Sequence, residues 1–96
     1  MVYLWLASED LAVARVRRRV QAGGHAMPEP VIRRRFWTGL ANFDRLYRPA
    51  TTGWRLYDGS VIGRQRLIAH GTRGEVPNIV DADLWALVRK QIEGKK

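Results

Sequence analysis

Ninety-six residues of 11.0 kDa allow one compact domain and leave no room for a second with its own core. The absence of cysteine excludes a disulfide framework, a thiolate zinc site and a cysteine nucleophile, and 46% hydrophobic content with nine aromatic residues is too rich for a disordered tail. Seventeen Lys and Arg against nine Asp and Glu give a net charge of +8, which predicts attraction to polyanions.

The chain opens with Val2-Tyr3-Leu4-Trp5-Leu6, an apolar run rich in strand-forming residues that reads as a strand over 2–6 buried on both faces. Neither this run nor any later one approaches the ~20 residues that span a bilayer, and no basic flank marks an export signal. No membrane partner and a cytoplasmic location are therefore expected. Ser8 caps a helix, Glu9 and Asp10 favour its positive end, and Gly23-Gly24 stops it, so the first helix covers roughly 9–22. Ala12, Val13, Val16 and Val20 form its core stripe. Arg15 and Arg19 lie together on one edge of that stripe, Arg17 lies on the other, and Arg18 points outward.

Pro28 and Pro30 suit only a first helical turn, so a second helix starts near 28 and runs to about 48, where Pro49 ends it. Its stripe is Ile32, Phe36, Leu40, Phe43 and Tyr47, with Leu46 beside it and Gly39 placed to admit a neighbouring backbone. Arg35 and Asn42 follow one edge, Arg33 flanks the other, and Arg34 faces outward. Trp54 to Tyr57 and Arg66 to His70 are strand candidates, with 58–65 as the loop of a hairpin. After a turn-rich stretch from Gly71 to Pro77, Asp81 caps a last helix of about 82–93 with Leu84, Val88 and Ile92 as its stripe, and Gly94-Lys95-Lys96 frays. The fold class is α/β, in the order strand, helix, helix, strand, strand, helix, with the first two strands parallel and the last two antiparallel.

No GxxxxGK[ST] phosphate loop is present, and the first lysine of the chain is Lys90. His25 and His70 stand far apart without metal-ligand spacing, so neither a metal site nor a catalytic triad is indicated. On spacing alone Gly23-Gly24-His25 is a helix stop, Asp58 a turn residue, and Trp5, Trp54 and Tyr57 core residues. The cations are a sharper signal. Between Arg15 and Arg66 stand twelve Arg, no Lys and only three acids, Glu29, Asp44 and Asp58. An arginine-rich helix face is ordinarily solvated, but Arg15, Arg19 and Arg35 gather on one anion if the two helices fold back as an antiparallel pair.

Taken in order, Tyr3-Leu4-Trp5-Leu6, Ala14-Arg15-Val16, Arg19-Val20, Gly23-Gly24-His25, Pro28, Ile32-Arg33-Arg34-Arg35-Phe36, Leu40, Asn42, Tyr47, Trp54-Arg55-Leu56-Tyr57-Asp58 and Leu67-Ile68-Ala69 make the chain similar to the C-terminal half of the zeta-toxin-like P-loop kinases, small predicted ATPases. The similarity runs over nearly the whole chain. It implies that residues 1–96 form one domain, a partial P-loop kinase-like fold corresponding to the lid and C-terminal part. Arg15, Arg19, Arg34 and Arg35 are then the arginines that close over ATP phosphates, with Gly23, Gly24 and His25 as the bend between their helices. In such a kinase the Walker A loop, the catalytic Asp and the Mg²⁺ holder lie ahead of this segment. No autonomous kinase activity and no catalytic residue are therefore expected, and ATP with Mg²⁺ binds only when a complementary Walker A half is present. The resemblance implies transfer to a small-molecule or nucleotide-sugar hydroxyl, with a separate N-terminal kinase half or a second copy as partner. Two other readings stand beside it: a basic nucleic-acid-binding protein, supported by charge alone, and a catalytically silent remnant domain.

Overall fold

The computed structural model describes residues 1–61, 63–73 and 75–94. Ile62, Gly74, Lys95 and Lys96 lie outside the described residues, and with them part of the expected hairpin loop, part of the turn-rich stretch and the expected fraying of the last two lysines. The elements are β1 (Val2–Trp5), α1 (Glu9–Gln21), α2 (Glu29–Asn42), a π-helical turn (Phe43–Tyr47), α3 (Arg48–Ala50), β2 (Gly53–Val61), β3 (Arg64–Thr72), β4 (Asn78–Ile79) and α4 (Ala82–Gly94). The main elements follow the expected order in a mixed α/β fold, and the two-residue β4 is an addition. One sheet runs β1-β2-β3-β4, with β1 and β2 parallel and the later pairs antiparallel.

The ends of α1 are set by local chemistry. Ser8 Oγ accepts from Leu11 N at 3.3 Å, and at the far end Gly23 N donates to Val20 O at 3.0 Å while Gly24 N donates to Arg19 O at 2.8 Å. This double closure needs a left-handed residue, which Gly23 supplies at φ +99°. Asp81 likewise caps α4, its Oδ1 accepting from Leu84 N at 3.0 Å.

The second helix departs from the expected single span to about 48. It changes to a π turn after Asn42, in which Arg48 N reaches back five residues to Phe43 O. The wider ladder leads into Pro49, which has no N–H to give, so the proline sits inside a last α-helical turn that ends at Ala50. The same widening breaks the 100° wheel. Tyr47, expected on the core stripe, and Leu46, expected beside it, are 44% and 57% exposed, whereas Ile32, Leu40 and Phe43 are buried as the wheel requires. Gly39 faces the Tyr3 hydroxyl, 3.4 Å from where a Cβ would stand, rather than another backbone.

Strands β2 and β3 are longer than expected, because Asp58-Gly59-Ser60 does not end the first of them. Register shifts at Leu56/Tyr57 and between Asp58 and Val61 absorb these residues, and Asp58 Oδ1 accepts from Ser60 N at 2.9 Å. The first shift also places the consecutive Ile68 and Ala69 in the core. That core joins Trp5, Trp54, Leu56, Ile68 and Ala69 of the sheet to Leu40, Phe43 and Val88 of the helical layer. Asp44 bridges the layer, accepting from Arg48 at 3.0 Å and Arg89 at 2.6 Å, and the Arg48 guanidinium lies 4.9 Å from the Trp54 ring and 5.5 Å from the Trp85 ring.

The helices bury their side chains against one face of the sheet. Alternation along β1 sends Tyr3 and Trp5 to that face and Val2 and Leu4 to the other, where they are 66% and 39% exposed. The expectation that this strand is buried on both faces is therefore corrected: among the described residues no helix covers the second face. Tyr57, paired with Leu4, shares that face and is half-buried rather than a core residue. No helix among the described residues is long and apolar enough to cross a membrane.

Candidate functional site

Helices α1 and α2 run antiparallel. Arg17 approaches Glu29 at 3.7 Å, while eight residues earlier Glu9 meets Arg33 at 2.8 Å and accepts from Trp37 Nε1, so positions rise along one helix as they fall along the other. This is the arrangement that brings distant arginines together. Between the two helices and β1 lies a cleft of about 320 Å³, and Arg15, Arg19 and Arg35 all line it. Trp5, Ile32, Phe36 and Leu40 supply its apolar walls, and Met27, from the bend, closes part of it. The cleft extends past Trp5 to Leu6, beyond the carboxyl end of β1, the position at which open α/β sheets generally receive ligands.

The remaining residues assigned to the site lie elsewhere. Arg34 is exposed and outside the cleft lining, in keeping with its outward place on the wheel. Gly23, Gly24 and His25 form the bend and are exposed, without reaching the cleft. Gly24 acts on it indirectly, because a Cβ there would stand 2.8 Å from Arg19 Cγ and 2.9 Å from Arg19 O. A bare glycine thus lets the chain turn directly over the stem of Arg19.

Electrostatics divides the helical pair into two flanks. Arg33 collects all three of its acids, with Glu9 and Asp10 at 2.8 Å and Glu29 at 3.0 Å. Hydrogen bonds to Glu9, Asp10 and Glu29, in that order, hold the Arg33 guanidinium above its already high ordinary value. On the opposite flank, among the described residues, none of Arg15, Arg19 and Arg35 is within ion-pair distance of a carboxylate. The cleft is consequently an apolar hollow rimmed by uncompensated guanidiniums. Tyr3 lies in its wall, and burial pushes that phenol up to about 12.

Such a donor set fits an anion. Guanidiniums offer planar pairs of N–H groups suited to phosphate or carboxylate oxygens, and apolar walls strengthen the attraction by displacing water. It does not fit a hard cation such as Mg²⁺, which needs oxygen ligands that this cleft lacks. Among the described residues no three His, Cys, Asp or Glu side chains gather as a metal site. The wheel separated Arg15, Arg19 and Arg35 from Arg34, but it missed the Glu9–Arg33–Trp37 lock and the role of Met27. The opposite charges of Glu9 and Arg33 were visible, but their pairing depends on the register between helices. The chain matches no family model, no curated protein and no solved structure.

Proposed function

We propose that the chain is an anion-clamping domain whose cleft takes the phosphates of a nucleotide, with Arg15, Arg19 and Arg35 as the clamp. One observation carries this reading: three arginines without a carboxylate partner among the described residues converge on an apolar cleft at the end of a parallel strand. In the form that the zeta-toxin resemblance implies, the ligand is ATP and the chain serves as lid and C-terminal part of a cytoplasmic small-molecule or nucleotide-sugar kinase. A separately supplied Walker A half then brings the phosphate loop, the Mg²⁺ ligands and the base. The arginines would stabilise charge on the transferring phosphoryl group only where that half has positioned nucleophile and metal, so the chain alone holds metal-free phosphates without turnover.

Titration calorimetry of the chain in metal-free buffer with ATP and with inorganic pyrophosphate tests the proposal. Binding is expected for both, weakened ten-fold or more in Arg15→Met/Arg19→Met/Arg35→Met and unchanged in Arg18→Met/Arg34→Met. Nucleic-acid binding is the second reading, favoured by the exposure of Arg18 and Arg34 on the outward side. It predicts the reverse pattern, with steeply salt-dependent DNA binding lost in the outward pair and retained in the cleft variant. Absence of ATP and pyrophosphate binding in the unmodified chain would remove the nucleotide reading.

A further inference from the structure

Strand β1 closes one side of the sheet, and its outer edge has no neighbouring strand among the described residues. Arg55 N donates to Met1 O at 2.9 Å across the parallel pair, which fixes the direction of the backbone groups. By strand alternation Met1, Tyr3 and Trp5 turn N–H and C=O toward β2, and Val2 and Leu4 turn theirs to the free edge. The cleft is lined by four consecutive residues, Tyr3 to Leu6, so the strand meets it along an edge rather than through one face.

Edge strands are usually blunted by charges, proline or a bulge. The stretch Val2-Tyr3-Leu4-Trp5 carries no charge and no proline, and it pairs with β2 without a register shift. Apolar side chains of α1 and α2 stand over the cleft side of this edge, and Arg15, Arg19 and Arg35, without a carboxylate partner among the described residues, line the same cleft.

We propose that the free edge of β1 accepts an extended apolar segment of a partner polypeptide as an added strand, with an acidic residue of that segment meeting the cleft arginines. Backbone pairing at Val2 and Leu4 supplies the affinity, and the arginines select the charge. A second copy of this chain is the wrong occupant. Two β1 edges joined about a twofold would bring six cleft guanidiniums to one seam between chains that each carry +8. The inference stands apart from the nucleotide reading, because it needs the strand edge and a carboxylate rather than a phosphate.

The probe is an acetylated, amidated heptapeptide alternating threonine and valine and ending in glutamate, titrated to millimolar concentration into the full chain. Amide hydrogen exchange is read by NMR. In the free monomer the amides of Val2 and Leu4 should exchange freely and those of Tyr3 and Trp5 should be protected. The peptide is expected to slow Val2 and Leu4 ten-fold or more and to leave Tyr3 and Trp5 unchanged. A peptide ending in lysine should bind at least ten-fold more weakly. Two further peptides, N-methylated at alternate amides in the two possible phases, leave the protein untouched: one should fail to bind and the other should bind as before. The proposal is overturned if Val2 and Leu4 exchange is unaltered at millimolar peptide, or if both methylated peptides bind alike. It is equally overturned if those amides are already protected in a dimer of the free chain. ATP titrated into peptide-free samples of the same chain reports on the nucleotide reading separately.

Discussion

If the cleft arginines serve a ligand and not the fold, removing their charges should stabilise the protein. A hollow of about 320 Å³ is on the order of 10 Å across, which sets the scale for the separation of the three guanidiniums that line it. At an effective dielectric constant between protein surface and bulk water, each of the three pairs repels by about 0.5 kcal/mol, which gives about 1.5 kcal/mol in all at low ionic strength. Replacing Arg15, Arg19 and Arg35 by methionine keeps most of each apolar stem against the cleft wall and deletes only the charge. The midpoint of thermal unfolding should rise by roughly 6–12 °C in ~10 mM salt, and the gain should vanish near 1 M salt, where screening acts within about 3 Å. Arg33→Met is the contrasting change, because it removes the guanidinium that Glu9, Asp10 and Glu29 share and weakens the lock between α1 and α2; its midpoint should fall. Calorimetry or circular dichroism at the two salt concentrations reads both variants. A triple variant less stable than the parent at both concentrations would refute the reasoning, since the three arginines would then be part of the scaffold.

Two further changes probe the framework around the cleft. The Tyr3 phenol ordinarily titrates at 10.0 and is pushed up to about 12 by burial, so the folded state favours its neutral form. That contribution is fully present below pH 10 and is lost as pH rises toward 12. A shift of about two units corresponds to about 2–3 kcal/mol. An alkaline unfolding curve should show this loss, and Tyr3→Phe should move its midpoint upward; an unmoved midpoint would dissociate Tyr3 from alkaline unfolding. Gly71→Ala tests the sheet behind the core, where a Cβ would stand 2.9 Å from three atoms of the Trp54 indole. The ring must move, at a cost of about 1–3 kcal/mol, with an altered near-ultraviolet tryptophan signal. Unchanged stability and spectrum would show that the ring yields freely.

Both ends of α1 and the start of α4 were legible because their causes are local. Ser8, Gly23-Gly24 and Asp81 act within three or four residues of where they stand, and the structure uses each as its chemistry suggests. The π turn was not legible, since Phe43, Leu46 and Tyr47 continue an apolar pattern that a 100° wheel extends without a break. Only the hydrogen bonds of Phe43–Tyr47 reveal that the ladder has widened and rotated the last two outward. The lengths of β2 and β3 escaped for a related reason: Asp58-Gly59-Ser60 has turn chemistry and does bend, but the sheet takes the bend as an irregularity between paired residues. The uncovered face of β1 belongs to a third kind, because Val2 and Leu4 have the character of buried residues and only the disposition of whole helices decides whether anything covers them. For the cleft, angular position separated Arg15, Arg19 and Arg35 from Arg34, while the cross-helix lock at Arg33 required the register.

That lock gives the cleft its sign. The acids of the two helices could have been spread among seven nearby arginines, each neutralising one neighbour. Instead Glu9, Asp10 and Glu29 all meet Arg33, with Glu29 also near Arg17, on the flank away from the cleft. The arrangement does two things at once: it fastens α1 to α2 at a fixed register, and it removes every carboxylate of the pair from the space that Arg15, Arg19 and Arg35 share. Stability alone would favour a more even pairing, since like charges around one hollow repel. A local departure from the stabilising pattern, bordered by a network that holds it in place, is what a preorganised anion clamp requires, because the ligand then meets guanidiniums that need not first be released from internal partners.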